Sequence, residues 1–106
     1  MLQLSIVVPA YNEAATIRTL LQRVVAAPLP QGVVLHQLLV VDDASQDATV
    51  AEVAALQQAQ PDVPLALYQH TQNLGKGAAL RTAFAEATGD FVLIQDADLE
   101  YDPQDY

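Results

Sequence analysis

Two carboxylates stand one residue apart where an apolar run ends late in the chain. Residues 91–95 suit a buried strand because β-branched and aromatic side chains dominate them, and Asp96 and Asp98 follow. Asp is depleted in strands and costly to bury unpaired, so the pair should lie where the strand leaves the sheet. Close carboxylates repel each other unless a cation or hydrogen-bond donors keep them ionised. The spacing therefore suggests a site for a hard divalent metal ion, with a solvated turn as the alternative.

Polar side chains follow two other apolar runs, and a lysine begins a helical pattern. Residues 9–13 follow one run and residues 42–45 follow another. Lys76 stands between two glycines at the start of a predicted helix, where the positive end of the helix dipole disfavours a cation. A phosphate bound at this helix start would relieve the repulsion. The alternative for Lys76 is a plain solvent-facing helix residue.

The hydrophobic pattern predicts a scaffold in which strands and helices alternate strictly. This order favours right-handed crossovers and a parallel sheet, so the fold class predicted is α/β, a three-layer αβα arrangement around a Rossmann-like sheet. The strands are predicted at residues 4–8, 33–41, 65–68 and 91–95, with helices ending before 28, near 60 and at 87. In a parallel sheet the segments after the strands gather at one edge, where ligands bind. We therefore expect residues 9–13, 42–45 and 96–98 to converge.

Several local predictions concern the ends and faces of these elements. Pro9 should end the first strand, because proline cannot donate to a sheet ladder. Asn12 offers an N-cap for the first helix, and Ser45 or Asp47 offers one for the second. Residues 38–41 lack polar alternation, so both faces of that strand should be covered. The third helix should carry its apolar residues on one side, and these are Leu80, Ala83, Phe84 and Ala87.

Composition excludes several classes of function. The 106 residues suffice for one domain, and the formal charge of −9 with four basic residues argues against a nucleic-acid surface. The absence of cysteine removes disulfides and thiolate metal sites. No apolar run reaches the length of a membrane span, and the first residues lack signal-peptide features, so we expect a cytoplasmic protein. The Gly75-Lys76-Gly77 segment fits neither a P-loop nor a dinucleotide fingerprint.

Four segments stand out along the chain: Val7-Val8-Pro9-Ala10-Tyr11-Asn12-Glu13, Val40-Val41-Asp42-Asp43-Ala44-Ser45-Gln46-Asp47, Asn73-Leu74-Gly75-Lys76-Gly77-Ala78-Ala79-Leu80-Arg81 and Asp96-Ala97-Asp98-Leu99-Glu100-Tyr101-Asp102-Pro103. In this order and spacing they resemble the amino-terminal half of a family 2 glycosyltransferase with the GT-A fold. The third and fourth are most similar to dolichol-phosphate and other polyprenyl-phosphate sugar transferases. The resemblance covers essentially the whole chain and implies a single donor-nucleotide-binding domain, residues 1–106, that stops before the acceptor-binding half.

The resemblance implies a nucleotide-sugar donor and sugar transfer with inversion. It places Pro9, Tyr11 and Glu13 around the base and ribose, where Tyr11 can stack and Glu13 can bind ribose hydroxyls. Asp42 or Asp43 would accept a hydrogen bond from the base. Ordinary packing is the alternative for Tyr11, and helix capping is the alternative for Asp42.

The resemblance also implies a divalent cofactor, Mg²⁺ or Mn²⁺, both of which suit carboxylate and water ligands. A metal across the two phosphates of the donor would neutralise the charge that develops on the leaving diphosphate. Asp98 is the leading metal ligand, and Asp96 would contact the metal, its water shell or the donor ribose. Lys76 would contact a phosphate.

The acceptor half of the family lies outside these residues, so the sequence identifies no catalytic base. The acceptor implied is a polyprenyl phosphate or another glycan or lipid, which would bring the full protein to the inner face of a membrane. Apolar surface that the other half would cover predicts self-association. Two alternatives stay open: a nucleotide-sugar-binding fragment without catalysis, and a receiver-like, Mg²⁺-binding signalling domain, although the latter carries its acidic pair after the first strand.

Overall fold

The computed structural model describes residues 1–97 and confirms the α/β class. Four parallel strands form one sheet in the order β3-β2-β1-β4. Among the described helices, none combines the length and the apolar character that a membrane span requires. The elements in chain order are β1 (Leu2–Ala10), α1 (Ile17–Ala26), β2 (Val33–Asp42), α2 (Thr49–Ala59), β3 (Leu65–Gln69), α3 (Lys76–Glu86) and β4 (Phe91–Ile94).

The helices cover both faces of the sheet, which gives the predicted three layers. On one face, Leu38 and Val40 of β2 belong to a buried cluster with residues of α1 and α2. On the other face, Leu39 and Val41 pack in a second cluster with Ala79 and Ala83 of α3. Consecutive side chains of a strand point to opposite faces, so the apolar run in β2 serves two cores. This confirms the prediction of a strand covered on both sides.

β1 continues through Pro9 instead of stopping there, so the prediction that Pro9 ends the strand is wrong. Alternate residues of β1 direct their backbone groups to opposite neighbours: the Val7 carbonyl accepts from Gln95 on the β4 side, and the Ala10 carbonyl accepts from Asp43 on the β2 side. Pro9 falls on the β4 side, where pairing ends at Val7. Its missing N–H therefore breaks no ladder hydrogen bond.

The predicted helix caps are also wrong in detail. Thr16 occupies the N-cap of α1 and Ala48 that of α2, and neither makes a side-chain cap hydrogen bond. Asn12 lies at φ 53°, outside right-handed helical geometry, and its side-chain oxygen accepts the N–H of Gln46 in the loop after β2. The Ser45 hydroxyl likewise caps no helix, because it accepts from Asn12 and donates to Asp42. Asp47 does accept the N–H of Thr49 at the start of α2.

Two apolar segments are less covered than their sequence suggests. β4 is one of the two outer strands of the described sheet, and Phe91, Val92 and Ile94 stay 42–53% exposed, so the expectation of a buried strand is wrong. Phe84 is 46% exposed because α3 meets the sheet through Ala79 and Ala83 instead. Apolar composition indicates that a surface can be buried, but among residues 1–97 β4 pairs with β1 alone, so it is an edge strand there.

A close backbone approach fixes β4 against β1 at the amino edge of the sheet. Gly89 donates to the Ser5 hydroxyl at 2.9 Å, and that hydroxyl donates to Gln37 of β2. A Cβ at Gly89 would lie 2.6 Å from Ser5 Oγ and 2.8 Å from the Gln3 carbonyl. Glycine is therefore required here by space, and the contact sets where β4 begins.

Candidate functional site

A cleft of about 440 Å³ opens at the carboxyl edge of the sheet. The strand order reverses at this point, because β2 and β3 lie on one side of β1 and β4 lies on the other. Open α/β sheets bind ligands at such a switch point. All three segments expected to converge contribute, together with the start of α3. The lining residues are Pro9, Ala10, Tyr11, Glu13, Asp43, Asn73, Gly75, Lys76, Ala79, Asp96 and Ala97.

The loop that carries Tyr11 and Glu13 is tied to the neighbouring loop after β2. Asn12 receives the Gln46 N–H on its side-chain oxygen and donates its own N–H to the Ser45 hydroxyl, both at 2.8 Å. The Glu13 N–H donates to the Thr49 hydroxyl at 2.8 Å. These bonds explain why Asn12 and Ser45 cap no helix. They also hold Tyr11, which is 41% exposed, at the cleft.

The two aspartates after β2 have different environments. Asp42 is 2% exposed, and its carboxylate accepts the N–H and the hydroxyl of Ser45. Asp43 lines the cleft, and its carboxylate accepts from His70 Nδ1 and from two backbone N–H groups. Since a carboxylate has about four acceptor positions, Asp43 keeps one for a ligand. Of the two candidates for a base contact, the geometry favours Asp43.

Hydrogen bonding decides the charge of Asp43. Burial by itself would raise the pKa of this carboxyl, but the N–H groups of Leu74 and Gly75 and the His70 ring together hold the pKa below its ordinary 3.8. The carboxylate is therefore ionised at neutral pH. Because it receives the Gly75 N–H at 2.8 Å, it also fixes the residue that precedes α3.

Lys76 and Asp96 form an ion pair across the cleft between Nζ and Oδ1. Lys76 is the first residue of α3, and Asp96 follows β4 by two residues. The Lys76 side chain is 58% exposed and that of Asp96 is 31% exposed, so both remain open to a ligand. Thr16 Oγ1 donates to the Ala97 carbonyl at 3.0 Å and fixes the segment that carries Asp96.

The described part of the cleft offers some but not all of the ligands of a divalent metal. Asp96 and Glu13 both line it, and residues 1–97 contain no cluster of three or more metal-ligating side chains. Mg²⁺ and similar ions in nucleotide sites need only one or two carboxylates, with phosphates and water as the other ligands. The donor set therefore fits such an ion. Asp98, the leading predicted ligand, lies outside the described residues.

His70 is the residue that sequence reasoning missed. It follows β3 directly, and its ring contacts Asp43 through Nδ1 and Thr82 of α3 through Nε2, each at 2.8 Å. In the sequence it stands alone, 27 positions from Asp43. The available signal was its place after a parallel strand, on the same edge as the acids. His36, by contrast, contacts Thr88 at the start of the sheet.

A doubly wound parallel sheet binds its ligands at the switch point, and here an acid, a base and an aromatic side chain line that position, so the chain is a ligand-binding α/β domain of the doubly wound class. The model of glycosyl transferase family 2 matches residues 5–106, so the chain belongs to this family. The receiver-like alternative is thereby set aside. The GT-A fold that the resemblance implies is confirmed by the solved relatives described next.

Relatives of known function or known structure can be aligned with almost the whole of this chain. Dolichol-phosphate mannosyltransferase of Saccharomyces cerevisiae is 35% identical over 97% of this chain and 38% of its own length. The undecaprenyl-phosphate 4-deoxy-4-formamido-L-arabinose transferase of Sodalis glossinidius is 35% identical over 97% of this chain and 31% of its own. A mannosyltransferase of Pyrobaculum calidifontis, solved with GDP-Man and Mn²⁺, superposes with a TM-score of 0.80 at 38% identity over 90% of this chain and 27% of its own. The chain thus spans about a third of the length of these relatives.

Proposed function

We propose that residues 1–106 form one domain, the donor-binding half of an inverting, metal-dependent glycosyltransferase. The observation that carries this proposal is the Lys76–Asp96 pair in a cleft at the carboxyl edge of the sheet. The Lys76 ammonium there can bind a phosphate of a metal–diphosphate complex, and the Asp96 carboxylate can bind the metal of the same complex. Membership of glycosyl transferase family 2 supplies the reaction class.

In this proposal the nucleoside occupies the part of the cleft formed by the loops after β1 and β2. Pro9 and Tyr11 offer apolar and aromatic surface for the base, and Glu13 offers a carboxylate to ribose hydroxyls. The free acceptor position of Asp43 suits an N–H of the base, with Asp42 behind it holding Ser45. The hydrogen bonds between the two loops support the proposal because they make this surface rigid before the ligand binds.

The diphosphate would lie between α3 and the segment after β4. Lys76 would contact a phosphate, and Asp98 together with Asp96 would hold Mg²⁺ or Mn²⁺, as the Mn²⁺ bound in the Pyrobaculum relative supports. When bound, the metal would neutralise charge on the leaving diphosphate. Lys76 adds a second positive charge, which matters in a chain with a net charge of −9 because an acidic surface otherwise repels a diphosphate.

The transfer step follows from the chemistry of the donor. An acceptor oxygen forms a bond to the anomeric carbon while the bond from that carbon to the diphosphate oxygen breaks, and one direct displacement inverts the configuration. The relatives that act on dolichol phosphate and undecaprenyl phosphate support a polyprenyl-phosphate acceptor. Its oxyanion could attack without a general base. The reaction would then take place at a membrane surface, for which we propose the inner face.

Calorimetric titration of the chain with GDP and with UDP, each with and without Mn²⁺, tests the donor site. We expect one nucleotide to bind only with Mn²⁺, and Asp98→Asn to weaken this binding by about tenfold or more. Asp62→Asn is the matched control, because Asp62 is an exposed acid in the turn before β3, at the amino ends of the strands and so at the opposite edge from the cleft. Absence of binding, or binding indifferent to both Mn²⁺ and Asp98→Asn, would contradict the proposal.

A further inference from the structure

His70 joins three elements around one side chain outside the lining of the cleft. Its backbone N–H donates to the Asp42 carbonyl at 2.8 Å, Nδ1 lies 2.8 Å from Asp43 Oδ1, and Nε2 lies 2.8 Å from Thr82 Oγ1. The side chain is 10% exposed. A single ring therefore connects the end of β2, the end of β3 and the second turn of α3.

The hydrogen-bond inventory fixes the direction of these contacts. A carboxylate can only accept, so Nδ1 carries the proton and donates to Asp43. In the neutral ring Nε2 is then the acceptor for the Thr82 hydroxyl. Histidine offers a donor and an acceptor on opposite sides of a rigid ring, whereas Asn carries a donor and an acceptor on a smaller amide group and Ala carries neither.

The carboxylate that His70 contacts also sets the start of α3. Asp43 accepts the N–H groups of Leu74 and Gly75 at 2.9 and 2.8 Å. Gly75 lies at φ 94°, a region that few residues other than glycine adopt, and Lys76 follows it. The backbone leading to Lys76 is therefore held by Asp43, which His70 in turn holds in place.

We propose that His70 is a positioning residue for the donor diphosphate, acting through Asp43 and Thr82 to fix Lys76 opposite Asp96. This inference rests on the proposed function of the cleft. His70 touches no ligand in this account. Its contribution is to keep the Lys76 ammonium within reach of a phosphate instead of letting the start of α3 and the 70–75 loop shift.

A double-mutant cycle separates this role from general stabilisation. If His70 acts through Lys76, the loss in binding free energy of the double variant should be smaller than the sum of the losses caused by His70→Ala and Lys76→Gln separately. If His70 only stabilises the fold, the losses should add. His36→Ala is the matched control, because His36 also contacts a threonine, Thr88, at 2.9 Å but lies at the other end of the sheet.

The measurement is calorimetry with Mn²⁺ and whichever of GDP and UDP binds the wild-type chain. We expect His70→Ala to weaken binding about tenfold, His70→Asn to recover most of the loss by donating to Asp43, and His36→Ala to bind normally. The double variant should bind about as weakly as Lys76→Gln alone. Circular dichroism melts confirm that each variant is folded.

Three results would overturn the inference. The first is wild-type affinity in folded His70→Ala, and the second is full additivity in the double variant. The third applies should His70→Ala fail to fold, when Thr82→Val carries the test: a few-fold loss of affinity supports the inference, and unchanged affinity contradicts it. A wild-type chain that binds neither nucleotide would refute the proposed function itself, an outcome distinct from these three.

Discussion

Asp43→Asn is the substitution whose effect on stability follows most directly from the structure. The carboxylate serves three donors, with His70 and Leu74 on Oδ1 and Gly75 on Oδ2. An amide keeps only one oxygen, so its least damaging orientation places its NH₂ group against the Gly75 N–H. One buried donor left unsatisfied costs about 2 kcal/mol. For a chain of this size, such a loss lowers Tm by about 10 °C.

The same substitution has a defined pH dependence. Because the pKa of Asp43 in the folded chain lies below its ordinary 3.8, ionised Asp43 contributes stability that is fully present above 3.8. This contribution is lost as the pH falls through the lowered folded pKa. The Tm difference between the wild type and Asp43→Asn should therefore be complete at pH 7 and shrink in acid below 3.8.

Thermal melts followed by circular dichroism at pH 7 and in stronger acid measure both effects. Asp62→Asn provides the control for a change of charge at an exposed acid, and we expect it to melt within about 3 °C of the wild type. Equal Tm values for the wild type and Asp43→Asn at pH 7 would refute the proposed hydrogen-bonding role. A Tm difference that stays constant into strong acid would refute the lowered pKa.

Three further predictions concern other parts of the chain. Gly89→Ala should lower the free energy of unfolding by about 1–3 kcal/mol, because the added Cβ would lie 2.6 Å from Ser5 Oγ; urea denaturation measures this, and wild-type stability would contradict the close approach. Lys76→Gln should strengthen the binding of Mn²⁺ alone and weaken that of Mn²⁺ with a nucleoside diphosphate, because Asp96 loses its cation while the phosphate loses a contact. Calorimetry with each probe checks both signs, and changes of the same sign would count against the shared site. Val92→Lys should reduce self-association, since a charge on the exposed edge strand disfavours pairing with a second copy; sedimentation velocity tests this, and a wild-type chain that stays monomeric at every concentration would argue against the expectation.

The sequence was sufficient for the features that local pattern and periodicity determine. The unbroken apolar run in β2 predicted a strand covered on both faces, and Leu38 and Leu39 do belong to different cores. Alternation of strands and helices predicted the parallel sheet, and parallel strands brought Tyr11, Asp43 and Asp96 to one cleft. These predictions succeeded because a side-chain period and a strand direction need no knowledge of distant contacts.

The features that depend on partners far along the chain could not be predicted. Asn12 and Ser45 have the side chains of helix caps, yet each finds its partner in the neighbouring loop, 33 or 34 positions away. The apolar residues of β4 indicate a strand but do not reveal that Phe91, Val92 and Ile94 stay largely exposed in the described structure. His70 gains its meaning from Asp43 and Thr82, which only the folded chain brings together.

Paramagnetic broadening by Mn²⁺ in amide NMR spectra tests the central claim most directly, because it locates the metal in the chain. With substoichiometric Mn²⁺ and the nucleoside diphosphate that binds, we predict that the strongest broadening falls on Asp96, Ala97 and the Gly75–Lys76 turn, and that it disappears from these residues in Asp98→Asn. Broadening spread over exposed acids such as Asp62, unchanged by the nucleotide, would contradict the assignment of the cleft as a metal–diphosphate site.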